Sequence, residues 1–442
     1  MKGKPKVTAG KPVFAKKRPP SAGPTAGVEA AIAKVTPARW AAFEILKLVG
    51  EGKGHSDELL HSARVDALSP EDRNLTTALV MGVLRWQIAL DARVRGLLQR
   101  PEQRLAEPVA IALRMGAFQL LHMDKIPAHA ALSESVELCK AAGEPHAAGM
   151  VNAILRKVAA AQRPGVRIHE SVAAFAERLG HPLWMVERWA KAYGREAALK
   201  ICEADQKEPA EGGMFAEAGG DLPQMDDGSR LVAEIAAAAA PRAKRVWDCC
   251  AAPGGKTLIL ARRLGTAEII ASDVSVKRLA QTEARLRRYS YAERVGFEVA
   301  DAADAKGVEG SFDLIVCDVP CSGTGTLAGN PEIRHRLNVE ELARQAERQR
   351  AILKGALKRL APGGRLVYST CSLEPEECEG VVDAVADGVR RVSVEGLLAE
   401  LGDQGILLNG FEVASMVRGA ALRTLPGVHG GDGFYAVVLE RE

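Results

Sequence analysis

Three short segments carry most of the chemistry this 442-residue sequence offers. The first reads Asp248-Cys249-Cys250-Ala251-Ala252-Pro253-Gly254-Gly255-Lys256-Thr257, so two glycines stand where a strand would hand over to a helix. Glycine at such a turn lets a ligand approach the backbone. Gly255-Lys256-Thr257 looks like the end of a phosphate loop, but that motif needs a glycine five positions earlier, where position 250 is cysteine. Asp273 stands nineteen residues beyond Gly254, suitably placed at the end of a second strand to accept both hydroxyls of a ribose. Asp301 and Asp318 end the next two expected strands, where open α/β sheets place their ligands.

The other two segments are Asp318-Val319-Pro320-Cys321-Ser322-Gly323-Thr324-Gly325-Thr326 and Ser369-Thr370-Cys371-Ser372. Cys321 and Cys371 both fall just past strand ends, facing the crevice of a nucleotide-like cofactor, where a thiolate is a nucleophile. The remaining Cys139, Cys202, Cys249, Cys250, Cys317 and Cys378 read as buried structural residues. Zinc is not expected: Cys317 and Cys321 flank a strand end, no C-x2-C pair exists, and no histidine lies near them in sequence. A thiolate beside an adenosine-type cofactor, without metal, suits methylation of a pyrimidine at C5. That carbon is not nucleophilic until a thiolate adds to C6. An acid near N3 helps the addition, a need Asp318 could serve, and a base must later remove the C5 proton. The chemistry alone leaves open which thiol attacks.

Strands that alternate with helices must hold these groups. Arg245 to Cys249, Glu268 to Asp273, Val295 to Ala300, Phe312 to Asp318, Arg365 to Thr370 and Phe434 to Leu439 read as strands, with helices at Thr257 to Leu264, Lys277 to Tyr289 and Val339 to Leu360. That order predicts a parallel sheet with crossover helices over 241–442. A helix capped by Asp227 or Ser229 is expected before it. Residues 29–160 repeat apolar positions every three or four residues and predict an all-α domain; 161–240 read as a helical linker. Residues 1–28 hold seven Lys or Arg, five Pro and no acid, a basic tail expected to be disordered, and they leave the rest of a +3 chain net acidic. No uncharged apolar run of 18 residues occurs and the N-terminus has no apolar signal core, so a cytoplasmic protein without membrane contact is expected.

The three segments, the Asn330-Pro331-Glu332-Ile333-Arg334 stretch that follows the second, the Glu374-Pro375-Glu376-Glu377 that follows the third, and Gly431-Asp432-Gly433-Phe434-Tyr435 resemble the NOL1/NOP2/Sun family of RNA 5-methylcytosine methyltransferases, in its bacterial Sun type. The resemblance spans 225–440, and Arg39 to Lys157 looks like a NusB-type RNA-binding domain. It implies an all-α NusB-like N-terminal domain plus an α/β Rossmann-like (class I) methyltransferase domain. It also implies S-adenosylmethionine as cofactor, contacted by Cys250, Ala251, Ala252, Pro253, Gly254, Gly255, Lys256, Asp273, Arg278, Asp301 and Asp318. By resemblance Cys371 is the nucleophile, Cys321 assists product release, and the substrate is a cytosine of 16S rRNA turned out of its stack. A monomer is expected. One departure is expected to matter: the family's longer RNA-binding subdomain, with its R-V-N stretch, is replaced by a short acidic segment over 203–224, making 161–240 a shortened subdomain. Arg285, Arg287, Arg288, Arg334 and Arg336 are candidates to compensate. A tRNA substrate, or a noncatalytic RNA-binding assembly or antitermination factor, are the other readings.

Overall fold

The structure is a computed structural model that describes residues 31–161, 170–209, 213–216, 222–385, 387–408 and 413–442. The basic tail and residues 210–212 and 217–221 of the 203–224 segment lie outside the described residues.

The N-terminal part is a helical bundle of α1 (Pro37–Gly50), α2 (Pro70–Arg95), α3 (Glu107–His122), α4 (Ala128–Ala141) and α5 (Ala148–Ala160). Proline opens α1, α2 and α3 within their first two positions, where its missing N–H costs nothing, and Ser69 caps α2 by accepting from the Asp72 amide at 3.1 Å. The apolar stripes read from the sequence, including Leu79, Val80, Val83, Leu84, Ile111, Leu113, Met115, Val151 and Leu155, meet in one core.

Residues 170–208 do more than link. Helices α6 (Val172–Arg178), α7 (Leu183–Tyr193) and α8 (Arg195–Ala204) bury Phe175, Met185, Val186, Trp189 and Ile201 together with Leu327, Leu373 and Leu425 of the C-terminal part. These helices therefore pack against loops of the C-terminal part. Helix α9 (Asp227–Ala239) follows, and its cap is Asp226, one residue before the expected one, whose carboxylate accepts from the Gly228 and Ser229 amides.

The sheet contains β1 (Arg245–Asp248), β2 (Glu268–Asp273), β3 (Val295–Val299), β4 (Phe312–Asp318), β5 (Leu360–Thr370), β6 (Val389–Val392), β7 (Val417–Arg418), β8 (Ala421–Arg423) and β9 (Tyr435–Arg441). Its order is β3-β2-β1-β4-β5-β9-β8-β7, with β6 also pairing β9. The first five strands are parallel, whereas β9 runs antiparallel to β5, β6 and β8. Helices α10 (Gly255–Arg263), α11 (Val276–Leu286) and α12 (Val339–Leu357) supply crossovers, and α13 (Val394–Asp403) packs beside α9. The order reverses between β1 and β4, where such sheets open a crevice at their carboxyl ends.

The bundle and the sheet are joined by the segment after the second motif. Glu332 accepts from the Ser56 amide at 3.0 Å and from its hydroxyl, and His335 Nε2 lies 2.8 Å from the Leu84 carbonyl. Arg334, only 2% exposed, donates to the carbonyls of Arg85 at 3.0 Å and Gly180 at 3.2 Å, while Arg336 donates to those of Val49 and Gly54. This corrects the expectation for two of the candidate RNA contacts: Arg334 and Arg336 hold the parts together, because a guanidinium's fixed fork of donors suits convergent carbonyls. Arg285 and Arg287 bond within their own surroundings, to the Pro253 carbonyl and to Glu283. Arg334→Ala should lower unfolding stability by about 3 kcal/mol, since it orphans buried carbonyls. Denaturant unfolding checks this, and a wild-type midpoint would contradict the joint described here.

Candidate active site

Five loops meet at the carboxyl edge of the sheet. The loop after β1 is held shut by Thr257, whose hydroxyl donates to the buried Asp248 carboxylate at 2.6 Å; burial pushes that carboxyl up to about 6, against the Thr257 bond. The Ala251 amide donates to the Ser272 carbonyl on β2, Ala252-Pro253 is a cis peptide, and Gly254 turns with φ +96°. A Cβ on Gly254 would lie 2.5 Å from Leu286 Cδ1 and 2.9 Å from Thr282 Cγ2, so the loop presses against α11 as only glycine can. Cys250 is half-buried, which corrects its reading as a core cysteine, while Cys139, Cys202, Cys249, Cys317 and Cys378 are buried.

Asp273 ends β2 with one oxygen accepting from the Ser275 amide at 2.8 Å and the other 3.5 Å from Arg278, which also donates to the Ala252 carbonyl. Val299 is its register partner on β3, and Val274, Val276 and Val299 are 54%, 67% and 50% exposed. A carboxylate acceptor amid apolar surface is what an adenosine requires, so the residues present fit that group. Asp301 is exposed and accepts from the Ala303 amide at 2.9 Å, closing its own turn. Gly254→Ala imposes both the positive φ and the clash, and should weaken cofactor binding by about 1–3 kcal/mol. Calorimetric titration with S-adenosylmethionine reads this directly, and unchanged affinity would remove the loop from the cofactor site.

Lys256 begins α10 and points along the crevice: its ammonium lies 2.7 Å from Asp318 Oδ2, donates to the Ser229 hydroxyl at 2.7 Å and stands over the Phe434 ring at 5.3 Å. Asp318 Oδ1 accepts from Ser369 on β5 at 2.8 Å. Asp318 is therefore half of an ion pair.

Beyond that pair, Cys321 Sγ and Cys371 Sγ lie 3.2 Å apart, each half-buried. Neighbouring parallel strands β4 and β5 deliver them to one point. The two loops are then sewn together. The Gly325 amide donates to the Cys371 carbonyl at 2.8 Å, and a Cβ on Gly325 would come within 2.2 Å of the Gly433 carbonyl, so glycine alone permits the contact. Glu377, fully buried, accepts from the Ser322 amide at 2.9 Å, from Gln349 Nε2 at 2.9 Å, and from the hydroxyls of both Ser322 and Ser372. The hydrogen bond to Cys371, then burial, then the charges of Cys371 and Glu377 hold the Cys321 thiol well up. Glu374, also buried, accepts from Arg188 at 2.6 Å and from the Trp189 indole at 3.0 Å, which docks α7 behind the Cys371 loop. Sequence reasoning did not assign Glu377, Gln349, Ser322, Ser372 or Glu374. Their only signal was that all but Gln349 lie in the segments that carry the family resemblance.

No group of three or more His, Cys, Asp or Glu able to hold a metal ion occurs among the described residues, and no helix among them is long and apolar enough to cross a membrane.

Two family profiles cover most of this architecture: the 16S rRNA methyltransferase RsmB/F family over residues 236–440, and the NusB family over residues 36–160. The probable ribosomal RNA small subunit methyltransferase B of Bacillus subtilis (strain 168) is 32% identical over 92% of this chain and all of its own length. The chain belongs to the RsmB/F family of methyltransferases. The ribosomal RNA small subunit methyltransferase B of Xanthomonas campestris pv. campestris is likewise 32% identical, across 91% of this chain and 96% of the relative. The crystal structure of PH0851 shares the fold over 92% of this chain and 99% of its own, with a TM-score of 0.66 at 19% identity. Membership in RsmB/F agrees with the expected fold, a NusB-type helical domain ahead of a Rossmann-like methyltransferase domain, and with S-adenosylmethionine as the cofactor.

Proposed function

We propose that this RsmB/F member is a cytoplasmic enzyme that methylates C5 of a cytosine in 16S rRNA through a covalent bond between Cys371 and C6. The observation that carries this reading is the pair of thiols 3.2 Å apart at the ends of β4 and β5, beside the nucleotide side of the crevice. A noncatalytic RNA-binding factor has no use for two such thiols, and full-length similarity to ribosomal RNA small subunit methyltransferases favours rRNA over tRNA.

S-adenosylmethionine supplies an electrophilic methyl group when bound. Gly254, Asp273 and Arg278 form its adenosine side, and Lys256 faces the substrate. The Cys371 thiolate adds to C6, and the electrons of the C5–C6 double bond move toward N3, where the Lys256 ammonium, held by Asp318, supplies the proton. C5 is then the nucleophile. After transfer, C5 gives up its proton to a base in the crevice, water included, the sulfur–C6 bond breaks, and N3 returns its proton to Lys256. Cys321 assists this release by donating its S–H to the departing Cys371 thiolate. The target base must leave its stack to reach sulfurs this deep between loops.

Bisulfite sequencing of rRNA and tRNA from cells with and without the gene tests the reading. Loss of one protected cytosine in 16S rRNA is the expected result. Loss in tRNA alone would move the substrate, and no loss would overturn cytosine C5 as the target.

A further inference from the structure

The two thiols are chemically alike, nearly equivalent in position, and joined by one hydrogen bond in which either sulfur is able to donate. Something must decide which one keeps the proton. The answer does not lie in the crevice but behind it.

Glu377 sits in the turn Pro375–Glu377, with its side chain wholly inside the protein. Oε1 accepts from the Ser322 amide and from Gln349 Nε2; Oε2 accepts from the Ser322 and Ser372 hydroxyls. The Ser372 hydroxyl oxygen is itself occupied by the Glu374 amide at 3.0 Å, which leaves its hydrogen for Glu377. Four donors on two oxygens is the pattern of an ionised carboxylate, since a protonated one would bring a donor of its own. Among the described residues no Lys or Arg pairs with it; its partners are neutral. A buried charge balanced only by dipoles is costly to keep, and a neutral glutamine would fill the same space. Its position supplies a reason. Two of its four donors, the amide and the hydroxyl, belong to Ser322 directly after Cys321, against the one hydroxyl of Ser372 directly after Cys371, so the charge leans to the Cys321 side of the thiol pair, and it opposes ionisation of that sulfur. Around the pair also stand Tyr368, whose hydroxyl donates to the Glu377 carbonyl at 2.7 Å, Arg423 and Cys378, which donate to the Ser372 carbonyl at 3.0 Å and 3.4 Å, Glu374, whose amide donates to the Ser372 hydroxyl, and the Lys256–Asp318 ion pair on the cofactor side.

We propose that Glu377 is the positioning residue that tells the two thiols apart: its buried carboxylate keeps the shared proton on Cys321, so that Cys371 is the thiolate. A Cys321 thiol then donates to Cys371 before attack and again as Cys371 departs. The proposal rests on the covalent reading above for its meaning, but its test needs neither RNA nor cofactor, so the two fail separately.

The test is alkylation of the full-length protein with iodoacetamide between pH 6 and 9, each cysteine being followed by peptide mass spectrometry. In the unsubstituted protein Cys371 is expected to react at least about tenfold faster than Cys321. Equal rates, or faster reaction at Cys321, would overturn the proposal. In Glu377→Gln the Cys321 profile is expected to move to lower pH and its rate at neutral pH to rise about tenfold, collapsing the selectivity. Ser372→Ala, which loosens the same cluster but keeps the charge, is expected to retain the preference for Cys371. Collapse in Ser372→Ala to the same degree as in Glu377→Gln would reduce Glu377 to a structural brace and overturn the assignment. Should Glu377→Gln fail to fold, equal rates at the two thiols in the unsubstituted protein, or loss of the Cys371 preference in Ser372→Ala, would still overturn the assignment. A protein that shows the expected selectivity yet methylates no cytosine would retain the proton assignment and lose the proposed function.

Discussion

Cys371→Ala abolishes methyl transfer, by roughly 10⁴-fold or more, and leaves S-adenosylmethionine affinity at the wild-type value. The expectation follows from where the residue sits. Cys371 lies just past the end of β5, whereas Gly254 and Asp273 follow β1 and end β2, so on the proposed reading its sulfur acts on the substrate and not on cofactor binding. Without a bond to C6, C5 of cytosine stays a poor nucleophile, however well the methyl group is presented. Tritium transfer from labelled cofactor measures the first quantity and calorimetric titration the second. Residual turnover within tenfold of wild type would exclude Cys371 as the nucleophile.

Cys321→Ala has the opposite signature: turnover stops, but the attack does not. Removing the sulfur 3.2 Å from Cys371 takes away the hydrogen bond to the leaving thiolate while sparing the Lys256–Asp318 pair. The enzyme is expected to accumulate a covalent protein–RNA species, most of the active protein after one turnover, which runs as a shifted band on a denaturing gel. An unshifted Cys321→Ala protein with full activity would remove the release role. Two neighbouring cysteines thus give two different failures, one before bond formation and one after it, and a merely structural pair would not.

The contrast between what the sequence revealed and what it hid has a physical basis. Strands β2 and β4 were legible to the residue because each is a compact β-branched or apolar run that ends in aspartate, and in a parallel sheet those ends share one edge. That is why Asp273, Asp318, Cys321 and Cys371 could be grouped before any fold was known. Strand β5 begins at Leu360, not Arg365, because the Pro362-Gly363-Gly364 stretch that reads as a breaker is carried through the ladder as an irregularity opposite Phe312 and Leu314. Strands β7 and β8 span two and three residues, too short for a period of two to register.

Charged residues were the hardest to place. Arg334 lies in a run of bases that reads as a solvated or RNA-facing patch, yet it is buried between carbonyls of the bundle and the linker helices. Glu377 lies in an acidic run and is the centre of the cysteine cluster. Burial of a charge depends on donors that arrive from distant parts of the chain, Ser322 and Gln349 for Glu377, and no local pattern announces them. Residues 170–208 show the same limit: Trp189 and Val186 marked a helix, but not that the helix would close over Leu373 and fix Glu374 behind the Cys371 loop.

The central claim is that a cytosine is joined to Cys371 during the reaction. Its most direct test is to trap the adduct with Cys321→Ala on a 16S rRNA transcript in the presence of S-adenosylmethionine, digest with nuclease and protease, and sequence the modified peptide by mass spectrometry. The account predicts one nucleotide, one methyl group heavier than cytidine monophosphate, on the peptide that contains Cys371. The same mass on another residue, or no modified peptide from protein that binds both RNA and cofactor, would contradict it.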